Sequence, residues 1–204
     1  MQFKDTIGIF DNVLSKTNCK RYIKRIEEAI KEGKAEQGKS LRGVNEEVKS
    51  SVDFNFMNFA NNKDLKLTEL ITETFNNTLT NKYLNNFPYN DIFEHNSTIG
   101  GRSTYPLFNI QKYERQKGHY NAWHVEQGSL ATSNRAFVFI LYLNDVELGG
   151  HTEFLFDDNG EYFKVKPKAG RLIIHPASWP YIHRGTTPIS NDKYIVTSWL
   201  NFSS

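Results

Sequence analysis

The stretch "AFVFILYL", Ala136 to Leu143, is apolar on both faces of any strand it forms, so the chain must place one layer above that strand and another below it. The surroundings say what kind of layers. From about residue 98 the sequence turns to short β-branched and aromatic segments separated by Gly, Pro and Asn, the pattern of an antiparallel sandwich or jelly roll. The expected strands are Leu107 to Tyr113, Ala122 to Glu126, Arg135 to Leu143, Thr152 to Phe156, Tyr162 to Val165, Arg171 to His175, Tyr181 to Arg184, and Lys193 to Phe202. "VELGG" and "KPKAGR" supply turns between them.

The first half has a different period. Ser15 is an N-cap for a helix running to about Lys31, with Tyr22, Ile26 and Ile30 on one face. A second helix is expected from Asp64, as its cap, to Tyr83, with Leu67, Leu70, Ile71, Phe75 and Leu79 as its apolar stripe. Between them "VDFNFMNF" alternates Val52, Phe54 and Phe56 with polar partners and reads as a strand. Lys31 to Lys49 is the densest polar region and is expected as a mobile loop. The fold class is therefore α+β: a double-stranded β-helix, or jelly-roll, core over residues 98–204, on a mainly helical support region over residues 1–97, in a single domain.

Charge and cysteine usage narrow the function. Lys and Arg number 25 against 23 acids, a formal charge of +2, so no global basic footprint points to nucleic acid or a membrane surface. The one cysteine, Cys19, excludes an internal disulfide and any thiolate metal cluster, and fits a reducing compartment. Any metal ligands must be His, Asp or Glu. The start, "MQFKDTIGIFDNVLS", lacks the basic region and apolar stretch of a signal peptide, and Ala136 to Leu143 is too short to span a bilayer. A soluble, intracellular protein is expected.

Six histidines are present: His95, His119, His124, His151, His175 and His183. Two of them begin His-x-Glu pairs, in "AWHVEQG" (His124, Glu126) and "GGHTEF" (His151, Glu153), and two-residue spacing puts both side chains on one face of a strand. One further nitrogen from another strand would complete the two-histidine, one-carboxylate triad that leaves positions open on Fe(II). His175 and His183 are the downstream candidates. After His183, alternation sets Lys193, Ile195, Thr197 and Trp199 on one face and Tyr194, Val196, Ser198, Leu200 and Phe202 on the other. The first face reads either as the wall of a polar pocket, whose lysine needs an anionic partner, or as a surface strand with a solvated lysine.

In order along residues 108–202, "HVE", "YLNDVELGGHTEF", "VKPKAGRLIIHP" and "HRGTTPISNDKYIVTSW" resemble the 2-oxoglutarate and Fe(II)-dependent oxygenases, in their prolyl 4-hydroxylase-like branch. That family's basic cosubstrate residue follows the distal histidine by ten, as Lys193 follows His183, and its pocket tryptophan by sixteen, as Trp199 does. The resemblance implies that His124, Glu126 and His183 hold the iron, that Lys193 pairs with the far carboxylate of 2-oxoglutarate, and that Thr152 assists there. Tyr113 matches a cosubstrate-contacting tyrosine, although two extra residues separate it from the metal histidine and Tyr105 or Tyr120 are alternatives. Arg135 and Trp199 match substrate-contacting residues. By the same alignment His151 and Glu153 point away from the site, as surface or edge residues. Glu126 stands where the family usually has Asp, which leaves open how its longer arm ligates.

The implied activity is hydroxylation of a C–H bond, of a prolyl residue in a peptide or protein, using dioxygen and 2-oxoglutarate and releasing succinate and carbon dioxide, with ascorbate as a candidate reductant. Hydroxylation of a free amino acid or other small metabolite, and a non-catalytic jelly-roll binding module, are the alternatives. A nucleic-acid demethylase is disfavoured by the near-neutral charge and a lysine in place of that branch's arginines, and a halogenase by the presence of a carboxylate.

Overall fold

The structure, a computed structural model, describes residues 1–40, 43–55, 62–88, 108–156 and 162–202. Its strands are β1 (Gln2–Lys4), β2 (Ile7–Phe10), β3 (Glu36–Gln37), β4 (Lys49–Ser50), β5 (Val52–Asn55), β6 (Asn109–Tyr113), β7 (His119–His124), β8 (Arg135–Tyr142), β9 (Thr152–Leu155), β10 (Tyr162–Val165), β11 (Leu172–Pro176), β12 (His183–Gly185) and β13 (Lys193–Asn201). Two helices, α1 (Lys16–Lys31) and α2 (Asn62–Thr78), complete the frame.

The strands form an eight-stranded sheet in the order β1-β2-β11-β8-β13-β6-β5-β3 and a five-stranded sheet in the order β10-β9-β12-β7-β4, with antiparallel pairing throughout. The doubly apolar stretch becomes β8, central between β11 and β13. Its Phe137, Phe139 and Leu141 join Tyr22 and Ile26 of α1, Ile71 and Phe75 of α2, and Val196 and Leu200 of β13 in one core. Val138, Ile140 and Tyr142 join Phe154 of β9, Val165 of β10 and Ile195 of β13 in a second core, between the two sheets. Successive residues of one strand thus feed two cores, which is what a period of two requires of a strand covered on both sides.

All eight strands expected in the second half form, with ends shifted by three residues or fewer; His95, Tyr105 and Leu107 lie outside the described residues. Ser15 caps α1 as expected, its side chain accepting from the Asn18 N–H. Asp64 does not cap α2, which begins at Asn62. Its carboxylate is instead buried beside Arg25 of α1, Nε to Oδ1 2.6 Å and Nη2 to Oδ2 3.1 Å, and so ties the two helices together. Beyond Thr78 the helix widens into a π-helical turn over Leu79–Tyr83, where Leu79 and Tyr83 are still buried.

Residues 1–97 contribute more than helices. β1 and β2 extend one edge of the large sheet, and part of the expected mobile loop is ordered into strands. β3 pairs with β5, Glu36 opposite Asp53, and β4 pairs with β7, Lys49 opposite Tyr120. The polar side chains of that segment turn outward or into the inter-sheet cavity while its backbone groups are satisfied in the two sheets. Among the described residues no helix is long and apolar enough to cross a membrane.

Candidate metal and cosubstrate site

The two sheets diverge at one end, and between them opens a cavity of about 370 Å³, a size suited to a small ligand. The small sheet supplies its histidines. His124 is the last residue of β7 and His183 the first of β12, and the two sit directly opposite each other in the ladder. Their ring centroids are 4.4 Å apart. Glu126 lies two residues past His124, in the bend that follows the strand, so it shares a face with His124 through that bend and not through continued pleating. Backbone N–H groups of Glu126 and Gln127 both donate to the Ala177 carbonyl, 3.1 and 3.0 Å, and fix the bend.

One nitrogen of each histidine and one oxygen of Glu126 all lie within 4.8 Å of one another. Glu126 Oε1 is 3.5 Å from His124 Nε2 and 3.7 Å from His183 Nε2. On the far side of each ring, His124 Nδ1 is 2.9 Å from the Ala122 carbonyl and His183 Nδ1 is 3.0 Å from the Tyr181 carbonyl. A carbonyl only accepts, so each Nδ1 donates to it and Nε2 is the nitrogen turned toward the cluster, the orientation a metal ligand needs. Burial, with the neighbouring His124, holds His183 below the usual imidazole range, against the pull of Glu126. Burial would raise Glu126, but His124 and His183 beside it keep its carboxyl well below the usual carboxylate range.

Lys193 occupies the opposite wall. It opens β13 opposite Tyr113 of β6, is 2% exposed, and lies with its Nζ 4.4 Å from the Tyr113 ring centre and 3.2 Å from the Gly150 carbonyl. No carboxylate among the described residues pairs with it, and burial draws its pKa down to about 7. A buried ammonium facing a cavity is a site for an anion. Thr152 also lines the cavity, with its hydroxyl accepting from Tyr142 at 2.6 Å.

The other expected positions divide. Tyr113 is buried, and its hydroxyl donates to Gln111 Oε1 at 2.8 Å. Tyr120 stacks on His124, centroids 3.9 Å apart. Arg135 and Trp199 both reach the cavity but touch Glu126 there. The face Lys193, Ile195, Thr197 and Trp199 lines the cavity, so the solvated-lysine alternative does not hold. His151 and Glu153 point away from the metal cluster as expected, yet Glu153 is no surface residue. It is 4% exposed, covered by Arg184 at 2.9 Å and Lys164 at 3.3 Å on the outer face of the small sheet. His119 bonds to the Lys117 and Glu47 carbonyls, and His175 is buried behind His183 at 4.8 Å between centroids; neither joins the cluster.

Sequence reasoning missed a polar chain along the cavity wall. Lys49 Nζ meets Asp53 Oδ2 at 2.8 Å, Ser51 donates to Asp53 Oδ1 at 2.7 Å, and Gln111 reaches Asp53 at 3.3 Å before accepting from Tyr113. Period two in β6 already puts Gln111 on the face of Tyr113 and was the available signal. The residues present fit a divalent iron ion and a dicarboxylate: two imidazole nitrogens and one carboxylate oxygen lie within 4.8 Å of one another, and a lysine with no acidic partner among the described residues faces the same cavity.

Residues 108–201 match the model of the 2OG-Fe(II) oxygenase superfamily. Prolyl 4-hydroxylase 13 of Arabidopsis thaliana is 31% identical over 117 residues, covering 47% of this chain and 43% of that protein. The chain spans less than half the length of the curated plant relatives it matches. Among solved structures, the Trichoplax adhaerens prolyl hydroxylase in complex with a hypoxia inducible factor oxygen degradation domain peptide superposes with a TM-score of 0.71 at 16% identity, covering 98% of this chain and 84% of that one. A Pseudomonas putida prolyl-4-hydroxylase gives 0.66 at 15% identity, covering 96% and 92%. At these identities the structures speak for the fold, and the fold is the jelly roll expected.

Proposed function

We propose, since residues 108–201 match the model of the 2OG-Fe(II) oxygenase superfamily and part of the chain resembles prolyl 4-hydroxylases, that the protein is a 2-oxoglutarate-dependent Fe(II) dioxygenase that hydroxylates a prolyl residue in a peptide or protein. The observation that carries the reading is the pairing, in one cavity, of the His124, Glu126 and His183 cluster with a buried and unneutralised Lys193. Bound there, Fe(II) and 2-oxoglutarate supply oxidative decarboxylation of the cosubstrate to succinate and carbon dioxide and oxidation of a substrate C–H bond to C–OH.

The chain's own residues orient and enclose. His124, Glu126 and His183 would hold the ion through one nitrogen or oxygen atom each. Lys193 receives the far carboxylate of the cosubstrate, with the Tyr113 ring closing over the ammonium and Thr152 beside it. Ile140 and Ile195, on the inter-sheet faces of β8 and β13, give that end an apolar floor that excludes water. Glu36, Lys39 and Asp53 add polar side chains to the cavity lining. The lone buried thiol of Cys19 accords with a reducing, intracellular setting.

The test is succinate release by the full chain with Fe(II), 2-oxoglutarate and a panel of proline-containing peptides, alongside free amino acids. Peptide-stimulated succinate in the wild type, lost in His183→Ala, is the expected result. Turnover that survives His183→Ala would sink the assignment, and stimulation by a free amino acid alone would move the substrate to the small-metabolite class.

A further inference from the structure

Glu126 is a carboxylate with an arm one methylene longer than the aspartate its relatives commonly use, and a longer arm can bring both oxygens to one ion. The structure gives its two oxygens separate environments. Oε1 faces the two histidine Nε2 atoms at 3.5 and 3.7 Å. Oε2 accepts from Arg135 Nη1 at 2.7 Å and from Trp199 Nε1 at 2.9 Å. The guanidinium lies over the Trp199 ring at 3.9 Å and also donates to the Glu126 backbone carbonyl at 3.1 Å. Both donors come from the large sheet, Arg135 starting β8 and Trp199 near the end of β13. Adjacent strands thus carry a rigid two-pronged grip across the cavity to a residue on the other sheet.

We propose that Arg135 and Trp199 are positioning residues that hold Glu126 to one-oxygen ligation and so keep a coordination position free for the cosubstrate. An octahedral ion with three protein ligands has three positions left; 2-oxoglutarate takes two as a chelate and dioxygen needs the third. A second oxygen from Glu126 would take one of these. For Oε2 to turn inward it must give up a charge-assisted hydrogen bond and an indole N–H donor, both inside a largely buried site where unmade bonds are costly. Gln127 reinforces the arrangement from behind, its side-chain amide donating to the Arg135 carbonyl at 3.1 Å, which ties the bend to the start of β8. The bland alternative is that Arg135 neutralises a buried acid and Trp199 fills space.

The inference rests on the metal and cosubstrate reading above, and its test does not use turnover. Co(II) binding, and then 2-oxoglutarate binding to the Co(II)-loaded full chain, are measured by calorimetry for wild type, Trp199→Phe and Arg135→Met, each repeated with Glu126→Asp. Trp199→Phe keeps an aromatic ring under Arg135 and removes the indole N–H donor, so it remains informative if Arg135→Met folds poorly. Expected is retained Co(II) binding with 2-oxoglutarate weakened about 10-fold, the scale on which outer-shell partners act. With Glu126→Asp, whose arm is too short to serve ion and grip together, the same substitutions change 2-oxoglutarate affinity by less than about twofold, the non-additivity that marks a direct coupling. Unchanged 2-oxoglutarate affinity in Trp199→Phe overturns the proposal, as does an equal loss in both backgrounds, which would assign a packing role. A wild type that binds no Co(II) overturns the metal reading itself, and the grip falls with it.

Discussion

Burial takes the Lys193 ammonium out of water with only one carbonyl and one aromatic face in compensation, and its pKa falls to about 7. An unfolded lysine titrates near 10.4, so between about pH 7 and 10 the unfolded chain binds the extra proton and the ligand-free fold gains stability as pH rises. Below about pH 7 both forms are charged and the cost of the buried cation is felt in full. Cosubstrate binding has the opposite sign: above about pH 7 the lysine must take up a proton to meet the carboxylate, so affinity for 2-oxoglutarate falls with pH, approaching about tenfold per unit. Calorimetry near pH 8 in buffers of different ionisation heat should register uptake of about one proton; affinity flat from about pH 7 to 9 would contradict the assignment. Lys193→Met should abolish 2-oxoglutarate binding while stabilising the ligand-free protein by about 1–4 kcal/mol in denaturant unfolding. At this scale residue spacing left His175 and His183, and a pocket or solvated Lys193, as open alternatives; the family resemblance singled out His124, His183 and Lys193, which the structure brings to one cavity. The sequence was not legible for Glu126, whose environment is made by Arg135 and Trp199 from the other sheet, nor for Glu153, whose burial depends on cross-strand neighbours that no single-strand pattern names.

At the scale of elements, α1 and α2 are joined by a contact that periodicity does not predict. Arg25 and Asp64 are 2% and 1% exposed, and the guanidinium also lies over the Phe54 ring at 4.3 Å. Asp64→Ala leaves a buried cation behind and should cost about 3–5 kcal/mol, whereas the paired change Arg25→Met with Asp64→Leu should recover most of that loss. Urea unfolding of the three variants decides it; equal losses in single and double variants would show that the pair is not a unit. The helices and the longer later strands, β8 and β13 above all, were readable because their periods repeat, and the short β9, β10 and β12 were marked out by the Gly, Pro and Asn of the loops around them. β1 and β2, three and four residues long, show no repeat, and their hairpin turns through Asp5 at φ 51°, where no glycine advertises it. β3 and β4, two residues each, exist only because β5 and β7 offer edges to pair with. Strands of that length are properties of their partners, and a local reading of "KEGKAEQGKS", which holds β3, sees only its polarity.

For the molecule as a whole, the large sheet separates two cores with different duties. The outer one, against the helices, has Phe75 stacked on Phe139 at 4.9 Å with rings 7° from parallel. Phe75→Ala should cost about 3–5 kcal/mol of stability and leave Co(II) affinity within about twofold, because the metal cluster rests on the inter-sheet core. Loss of metal affinity in step with stability would mean the two cores are not separable. The small sheet is held differently. β12 is three residues long, and its first residue, His183, stands opposite His124 on β7, so a slip of one residue in that ladder would put Arg184 where the ligand belongs. An ion bridging these two histidines would therefore work as a buckle between two neighbouring strands of the small sheet. At about 100 times its dissociation constant it should stabilise the fold by about 2.7 kcal/mol, and slow amide exchange in β7, β9 and β12 before any change appears in β8. The ion proposed to carry the chemistry would then also set the alignment of the strands that hold it, and metal starvation would be sensed as loosened architecture as well as lost turnover.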